Sequence, residues 1–514
     1  MEHFVNEITV MQFYVDQVQK DQINFLQGKE AKKKVICELI NQLMAEDKMN
    51  YKIQIACKLW KELFEVSMSF ISADKTGYDK LFQYFDAYVE FEELIFASDS
   101  FYRDHTLHCI WVYFLGEYLK RKEEFRELFT DEVNEEELER NMGAFLSELK
   151  AVENAKEVEL MERALELNEK LRKYDEAIRC VSALTHDLGY PLKKIEKINK
   201  SIKKVLPYFA INNFEDFSFG YTNVQQEFVR DFIDFLSRRY GINMDMKNDE
   251  ASNVYSKLAI NDEQGHMRKL EPGEIQNLTD EERKQLVGSI YISEQFHAPE
   301  AVRVGFLNDF EDYRHGIMSA FLLFKNLRAF QHVDYRKMND ALGSSMEYPG
   351  VETLAVQAIL SAISLHTNDM FRISYLTGIE YLTFVDELEE FSRISRASQN
   401  REYVKEFCDT ALYMEDGWLN VVFEFGNDQL DNLDPEISFK GRCKRFLNLF
   451  DVKGMSENLK IRVTCIGKLP TNKNTYVLEI ARKHVDIRIN DESVDIPKYL
   501  KSCQYYTKEE YAAL

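Results

Sequence analysis

The sequence predicts a mainly α protein that ends in a small α+β module, and three observations predict it. Only 8 Pro and 20 Gly punctuate 514 residues, so few positions stop a helix. Apolar residues recur at three-and-four spacing through most of the chain, the period of a helix with one buried face. From about Trp418 the pattern changes to alternation rich in β-branched residues. A chain of this length can hold two or three domains and a sizeable core. The division expected is a helical N-terminal region (1–98), a larger helical domain (99–415) with insertions at about 120–179 and 241–300, and the α+β module (416–514).

Composition narrows the function classes. Hydrophobic content of 45% and charged content of 30% are those of a soluble globular protein. No apolar run reaches the ~18 residues of a membrane span. The start MEHFVNEITV does not resemble a signal peptide. The 8 Cys are scattered with no CxxC, which points to reduced thiols and a cytoplasmic setting. A net charge of −23 argues against a broad grip on duplex DNA. From Lys440 to the end, however, 15 Lys/Arg face 9 Asp/Glu. That basic end could meet nucleic acid or another anion, or it could dock on the acidic body.

In chain order, AKKKVICELINQLMAEDK and YKIQIACKLWKELFEVSMSFI read as amphipathic helices without recognisable chemistry. The stripe Phe82, Tyr84, Phe85, Tyr88 and Phe91 reads as core. SFYRDHTLHCIWVYFLGEYLKRKEEF is an apolar helix carrying His105 and His108 one turn apart. Residues 120–179 read as a charged helical hairpin, and 241–300 as a polar surface insertion or lid. CVSALTHDLGYPLKK places His186 and Asp187 in the last turn of a buried helix, with Gly189 as a stop. A second helix starts at Pro191, its N-terminus carrying Lys193 and Lys194 beside the His-Asp pair. Further on, His315 opens one apolar helix, His366 ends another, and Asp386 lies inside a third apolar face with Arg393 on the same side. A lone buried carboxylate is costly unless it is paired or binds a metal. The last hundred residues read as β-α-β-β beginning around Asp416–Gly417, from WLNVVFEFG, ISFKGRCKRFLNLF, NLKIRVTCIGK and NTYVLEIARKHVDIRIN.

The order His…His-Asp…His…His…Asp, carried by RDHTLHCIWV, LTHDLGYP, YRHGIMSAFLL, AISLHT and LTFVDELEEFSR, resembles the HD superfamily of metal-dependent phosphohydrolases. The resemblance covers about residues 100–400, with insertions of unusual length that leave the subfamily unassigned. It implies an HD-type helical bundle in which His108, His186, Asp187 and Asp386 are metal ligands, with His108 preferred over His105. It further implies that His315 and His366 serve a second ion. Imidazole and carboxylate donors suit one or two Mn, Fe, Co, Ni or Zn ions. The expected substrate is a phosphorylated small molecule, a nucleotide by resemblance. Asp187, Lys193 and Lys194 are expected in the chemistry, with Arg393 and Tyr190 on the substrate. Two alternatives stand beside this reading: a single-strand nuclease using the basic C-terminal module, and a non-catalytic scaffold or sensor on the same fold. Oligomeric state is left open.

Overall fold

The computed structural model describes residues 3–96, 101–129, 155–211, 220–246, 300–331, 350–369, 371–376, 378–395, 408–425, 435–467 and 473–495. It also describes short pieces at 215–216, 259–261, 267–269, 278–279, 281–282 and 290–297. The architecture is mainly α with a small α+β C-terminal region, as the composition and the change of period require.

The N-terminal helices are α1 (Glu7–Gln19), α2 (Glu30–Ala45), α3 (Met49–Ile71) and α4 (Tyr78–Phe96). A short strand, β1 (Phe101–Arg103), leads into α5 (His105–Arg121), whose Asp104 cap accepts from the Leu107 amide at 3.0 Å. Two helices then flank the central turn: α6 (Ala155–Thr185) and α7 (Tyr190–Val205). They are followed by α8 (Asn223–Ser237), β2 (Arg239–Met246), β3 (Ala259–Asn261), β4 (Met267–Lys269) and β5 (Ile290–His297). The second half of the body is α9 (Glu300–Glu311), α10 (His315–Asn326), α11 (Arg328–Gln331), α12 (Val351–Leu365) and α13 (Ile379–Leu388), then strand β6 (Arg393–Ser395).

Residues 155–179 do not form a separate hairpin, because they run unbroken into 180–185 as one helix. Their inward face is built in: Glu176 is buried and Arg179 bridges to Glu117 of α5 at 2.8 Å. At the other end of the expected hairpin, residues 120–129 finish α5 and form a short 3-10 helix (Glu123–Phe129), and 130–154 lie outside the described residues. In the polar stretch 241–300 the described parts pair as two antiparallel ribbons, β2 with β5 and β3 with β4. No helix among the described residues is long and apolar enough to cross a membrane. No disulfide links the described cysteines.

The N-terminal helices are packed into the body. Trp60 of α3 is fully buried, stacks on Phe64 and Phe85, and donates its indole N–H to the Leu184 carbonyl at 2.6 Å. Tyr84 of α4 donates to the Leu188 carbonyl. Of the aromatic stripe, Phe85 and Tyr88 are core, Phe82 and Tyr84 pack half-buried against it, and Phe91 is half-buried; Tyr84 also grips the turn that carries His186 and Asp187.

The C-terminal sheet contains β7 (Asp409–Glu415), β8 (Trp418–Phe425), β9 (Ile461–Gly467), β10 (Thr475–Ala481), β11 (His484–Ile489) and β12 (Glu492–Ser493). Strand order follows chain order, and the β8–β9 pair alone is parallel, joined across α14 (Pro435–Leu449). Asp416 and Gly417 are the tip of the β7–β8 hairpin, both at positive φ, so the sheet takes a strand from upstream of the expected boundary. NTYVLEIARKHVDIRIN is likewise two strands, turning at Lys483 with φ 54°. Basic α14 faces the acidic body: Arg442 meets Glu390 at 3.1 Å and Arg445 meets Glu387 at 2.6 Å. Those two cations are committed to docking.

Candidate metal centre

Five chain segments deliver the six sequence-marked donors to one buried point. His108 lies on the first turn of α5, and His186 and Asp187 in the tight turn between α6 and α7, just past the helix end expected to hold them. His315 is the first residue of α10, His366 caps the end of α12, and Asp386 lies in the last turn of α13. Three overlapping groups each bring their ligand atoms within 4.8 Å of one another: His108–His186–Asp187, His186–His366–Asp386 and Asp187–His315–His366.

Two glycines allow this approach. A Cβ on Gly189 would stand 2.3 Å from the His315 carbonyl oxygen and 2.6 Å from the Ser319 amide. A Cβ on Gly316 would stand 2.5 Å from the Ile363 carbonyl and 2.9 Å from the His366 ring. Neither has positive φ; each is needed for close contact of backbones. Ser319 then locks the turn, accepting from the Gly189 amide at 2.7 Å while its hydroxyl lies 2.6 Å from the His186 carbonyl. Arg314 ties the start of α10 to the loop after His366, donating to the Thr367 carbonyl at 3.1 Å and to Asp369 at 3.0 Å.

The Asp187 carboxylate stands between two sets of imidazoles. Its Oδ2 is 3.5 Å from His186 Nε2 and 3.7 Å from His108 Nε2. Its Oδ1 is 3.3 Å from His315 Nε2 and 3.7 Å from His366 Nε2. On the first side, His108 Nε2 is 2.9 Å from Asp386 Oδ1 and 3.3 Å from His186 Nε2. Donors each about 2.1 Å from one ion stand about 3.0 to 3.4 Å apart at octahedral or tetrahedral angles; the pairs at 2.9 and 3.3 Å match that span and those at 3.5 to 3.7 Å are slightly wider.

The imidazoles are oriented for that role. His186 Nδ1 donates to the Ala183 carbonyl at 2.7 Å and His366 Nδ1 to the Ile363 carbonyl, which leaves each Nε2 a lone pair aimed inward. His108 Nδ1 meets the fully buried Glu389 carboxylate. His366 Nε2 is buried and has no hydrogen-bond partner among the described residues, an orphan that a metal ion would satisfy. Burial brings the His186 imidazole down to about 4 against the pull of Asp187 and Asp386, so it is neutral at pH 7. Burial likewise brings His315 down, although Asp187 opposes it. Burial pushes the Asp187 carboxyl up, but His186, His315 and His366 prevail and hold it well below the usual carboxylate range. His108 goes the other way: burial and Arg103 lower it, yet Asp386 and Glu389 bring it up to about 9. A cation bound between those carboxylates would take the place of that proton.

The remaining expected residues sort differently. The Tyr190 ring stands 4.0 Å from the His105 ring and 5.2 Å from that of His315, at the edge of the cluster. Lys194 places its ammonium 4.4 Å above the Tyr190 ring, while Lys193 is exposed on the same turn. Arg393 does not share a helix with Asp386, because α13 ends at Leu388 and Arg393 lies on β6, in register with Arg103 of β1.

That strand pair reveals a missed residue. Arg103 donates to Asp386 Oδ1 at 3.1 Å and to the Glu389 carbonyl at 3.0 Å. Glu92 of α4 was also missed: it holds His105 Nδ1 at 2.6 Å, and His105 Nε2 lies 4.0 Å from Asp187 Oδ2. A buried Glu on the aromatic helix α4 was the one available signal, and it had no visible partner in sequence. A cavity of about 560 Å³, lined by Val112, Gly116, Ser182, Ala362 and Val385, lies behind the cluster and includes none of the six donors.

Fold and site together define a mainly helical protein with a buried His/Asp cluster able to hold metal. The chain matches no protein-family model, no curated protein and no solved structure.

Proposed function

We propose that the cluster is the metal centre of an HD-type phosphohydrolase that cleaves a phosphate ester or anhydride, with a nucleotide as substrate. The observation that carries this reading is the convergence of six donors, three of which (His108, His186 and His366) have their outward Nδ1 already hydrogen-bonded. His108, His186, Asp187 and Asp386 would hold one ion, and Asp187, His315 and His366 a second. Such ions, when bound, lower the pKa of water toward about 7 and neutralise phosphoryl oxygens.

The chain's own groups supply the rest. Asp187, ionised and central, bridges the two donor sets and orients what lies between them. Glu92 fixes the His105 ring through Nδ1, so His105 Nε2 can take or return a proton beside Asp187. Tyr190, with Lys194 above its ring, offers an aromatic face and positive charge at the rim for a base and its phosphates. Arg442 and Arg445 of α14 are committed to the body, so among the described residues these two give no support to a strand-binding handle.

The test is metal content by elemental analysis on protein purified without a His tag or chelator, followed by a screen of nucleotides for phosphate release. One to two equivalents of transition metal and turnover that is lost in Asp187→Ala support the reading. No metal after reconstitution would sink it and leave the non-catalytic scaffold in front.

A further inference from the structure

Arg103 occupies atoms that a metal ion needs. Its Nη1 lies 3.1 Å from Asp386 Oδ1 and 3.4 Å from His108 Nε2, while Nη2 donates to the Glu389 carbonyl at 3.0 Å and lies 3.9 Å from Glu390 Oε1. The Nε–H is buried without a partner among the described residues. A divalent ion held by His108 and Asp386 would compete with the guanidinium for the same two atoms. Two cations cannot share those lone pairs, so Nη1 must leave Asp386 when the ion arrives. The Glu389 carbonyl is no ligand and remains as a pivot. Glu390 does not need this arginine, since Arg442 already meets it at 3.1 Å. Displaced, Arg103 keeps its charge and a position beside the site, with Nη1 freed and Nη2 still on the Glu389 carbonyl.

We propose that Arg103 is a metal-displaced arginine: it guards Asp386 in the metal-free protein and binds a phosphoryl oxygen of the substrate once the ion is in place. This rests on the phosphohydrolase reading for the identity of the anion, but the exchange itself is a property of the metal site. A planar guanidinium suits a phosphate because it can present two parallel N–H donors. The strand pair β1–β6 would fix the backbone from which the side chain pivots.

The experiment compares wild type, Arg103→Gln and Arg103→Lys by calorimetry, first titrating Mn²⁺ and then inorganic phosphate into the Mn-loaded proteins. Arg103→Gln removes the competing cation, so Mn²⁺ should bind about tenfold tighter, while phosphate loses a charge-assisted contact and should bind at least about tenfold weaker. Arg103→Lys keeps the charge without the fork, and its phosphate affinity should fall between the other two. Shifts of opposite sign are the mark of exchange, because a merely structural arginine would weaken both ligands together. Parallel weakening, or phosphate affinity unchanged in both variants, overturns the proposal. If Arg103→Gln fails to fold by circular dichroism, the Lys variant carries the phosphate comparison alone. Wild-type protein that binds Mn²⁺ but hydrolyses no phosphate compound would defeat the proposed activity while leaving these affinity shifts readable.

Discussion

The helix pair α5–α6 has a buried charged region at each end, and the contrast between the two separates a structural network from a candidate site. At the far end of α5, Glu117 is 1% exposed and accepts from Arg121 at 2.7 Å and from Arg179 of α6 at 2.8 Å. Arg121 also meets Glu176, and Arg179 meets Asp175. Every charge there faces its opposite. At the near end, the groups are His Nε2 lone pairs and carboxylate oxygens, and Arg103 stands at the edge against Asp386. Burial of charge is common to both regions. The near end has a surplus of acceptors converging on one point, which is the condition that calls for a cation.

Metal removal should break the symmetry between the regions most strongly. Wild-type protein should carry one to two equivalents of Mn, Fe, Co, Ni or Zn, and the His186→Ala/Asp187→Ala double variant none, as elemental analysis would read. Metal at 100 times its Kd should add about 2.7 kcal/mol to wild-type stability and nothing to the double variant, seen as a chelator-sensitive Tm in one protein only. Glu117→Ala should do the reverse. It removes the acceptor shared by two half-buried arginines, which keep Glu176 and Asp175, and should cost about 1.5 to 3 kcal/mol in denaturant unfolding. The metal stoichiometry of the folded fraction should not change.

Much of the cluster was legible because each donor interrupts or ends an apolar helix, where a His or Asp needs an excuse. His108 and Asp386 are of the first kind, and His186, Asp187, His315 and His366 stand at the ends of such apolar helices. The residues that hold the donors were not legible. Arg103 reaches Asp386 only because β1 pairs with β6, a contact nearly 300 positions apart in the chain, and two three-residue strands leave no periodicity to read. Glu92 and Ser319 lie on ordinary amphipathic helices, and their partners are set by tertiary packing. Gly189 was legible as a helix stop, but its tolerance for a Cβ is decided by the His315 carbonyl on another helix. The C-terminal sheet was read from alternation, and its upstream strand DTALYME was missed because the boundary was placed at the hairpin tip. Helical periodicity reports which face is buried, and it carries no information on what that face meets.

The supporting groups sharpen the comparison on a finer scale. Glu389 is fully buried, receives Ser392 at 2.6 Å and holds His108 Nδ1, so it orients a ligand without belonging to the donor set. Burial raises this carboxyl, but His108 and Arg103 prevail and hold it below the ordinary value, so the charged form is the one in place. Glu389→Gln should keep the hydrogen-bonding shape and lose the charge, lowering Mn²⁺ affinity about 10- to 100-fold in equilibrium dialysis.

Ser319 is the mildest and most selective test. Its hydroxyl accepts from the Gly189 amide at 2.7 Å and lies 2.6 Å from the His186 carbonyl, which leaves two buried backbone groups unpaired in Ser319→Ala. The expected cost is on the order of 1 kcal/mol, read as a lower urea midpoint with an unchanged slope. If the turn merely needs a close-packed α10, metal affinity should stay at the wild-type value. If Ser319 holds His186 and Asp187 in register, affinity should fall along with stability, and Ser319→Thr, which keeps the hydroxyl, should restore part of it. A loss of affinity larger than the loss of stability would show that the turn between α6 and α7 is held for its donors, a demand that the balanced network around Glu117 does not make on its own helices.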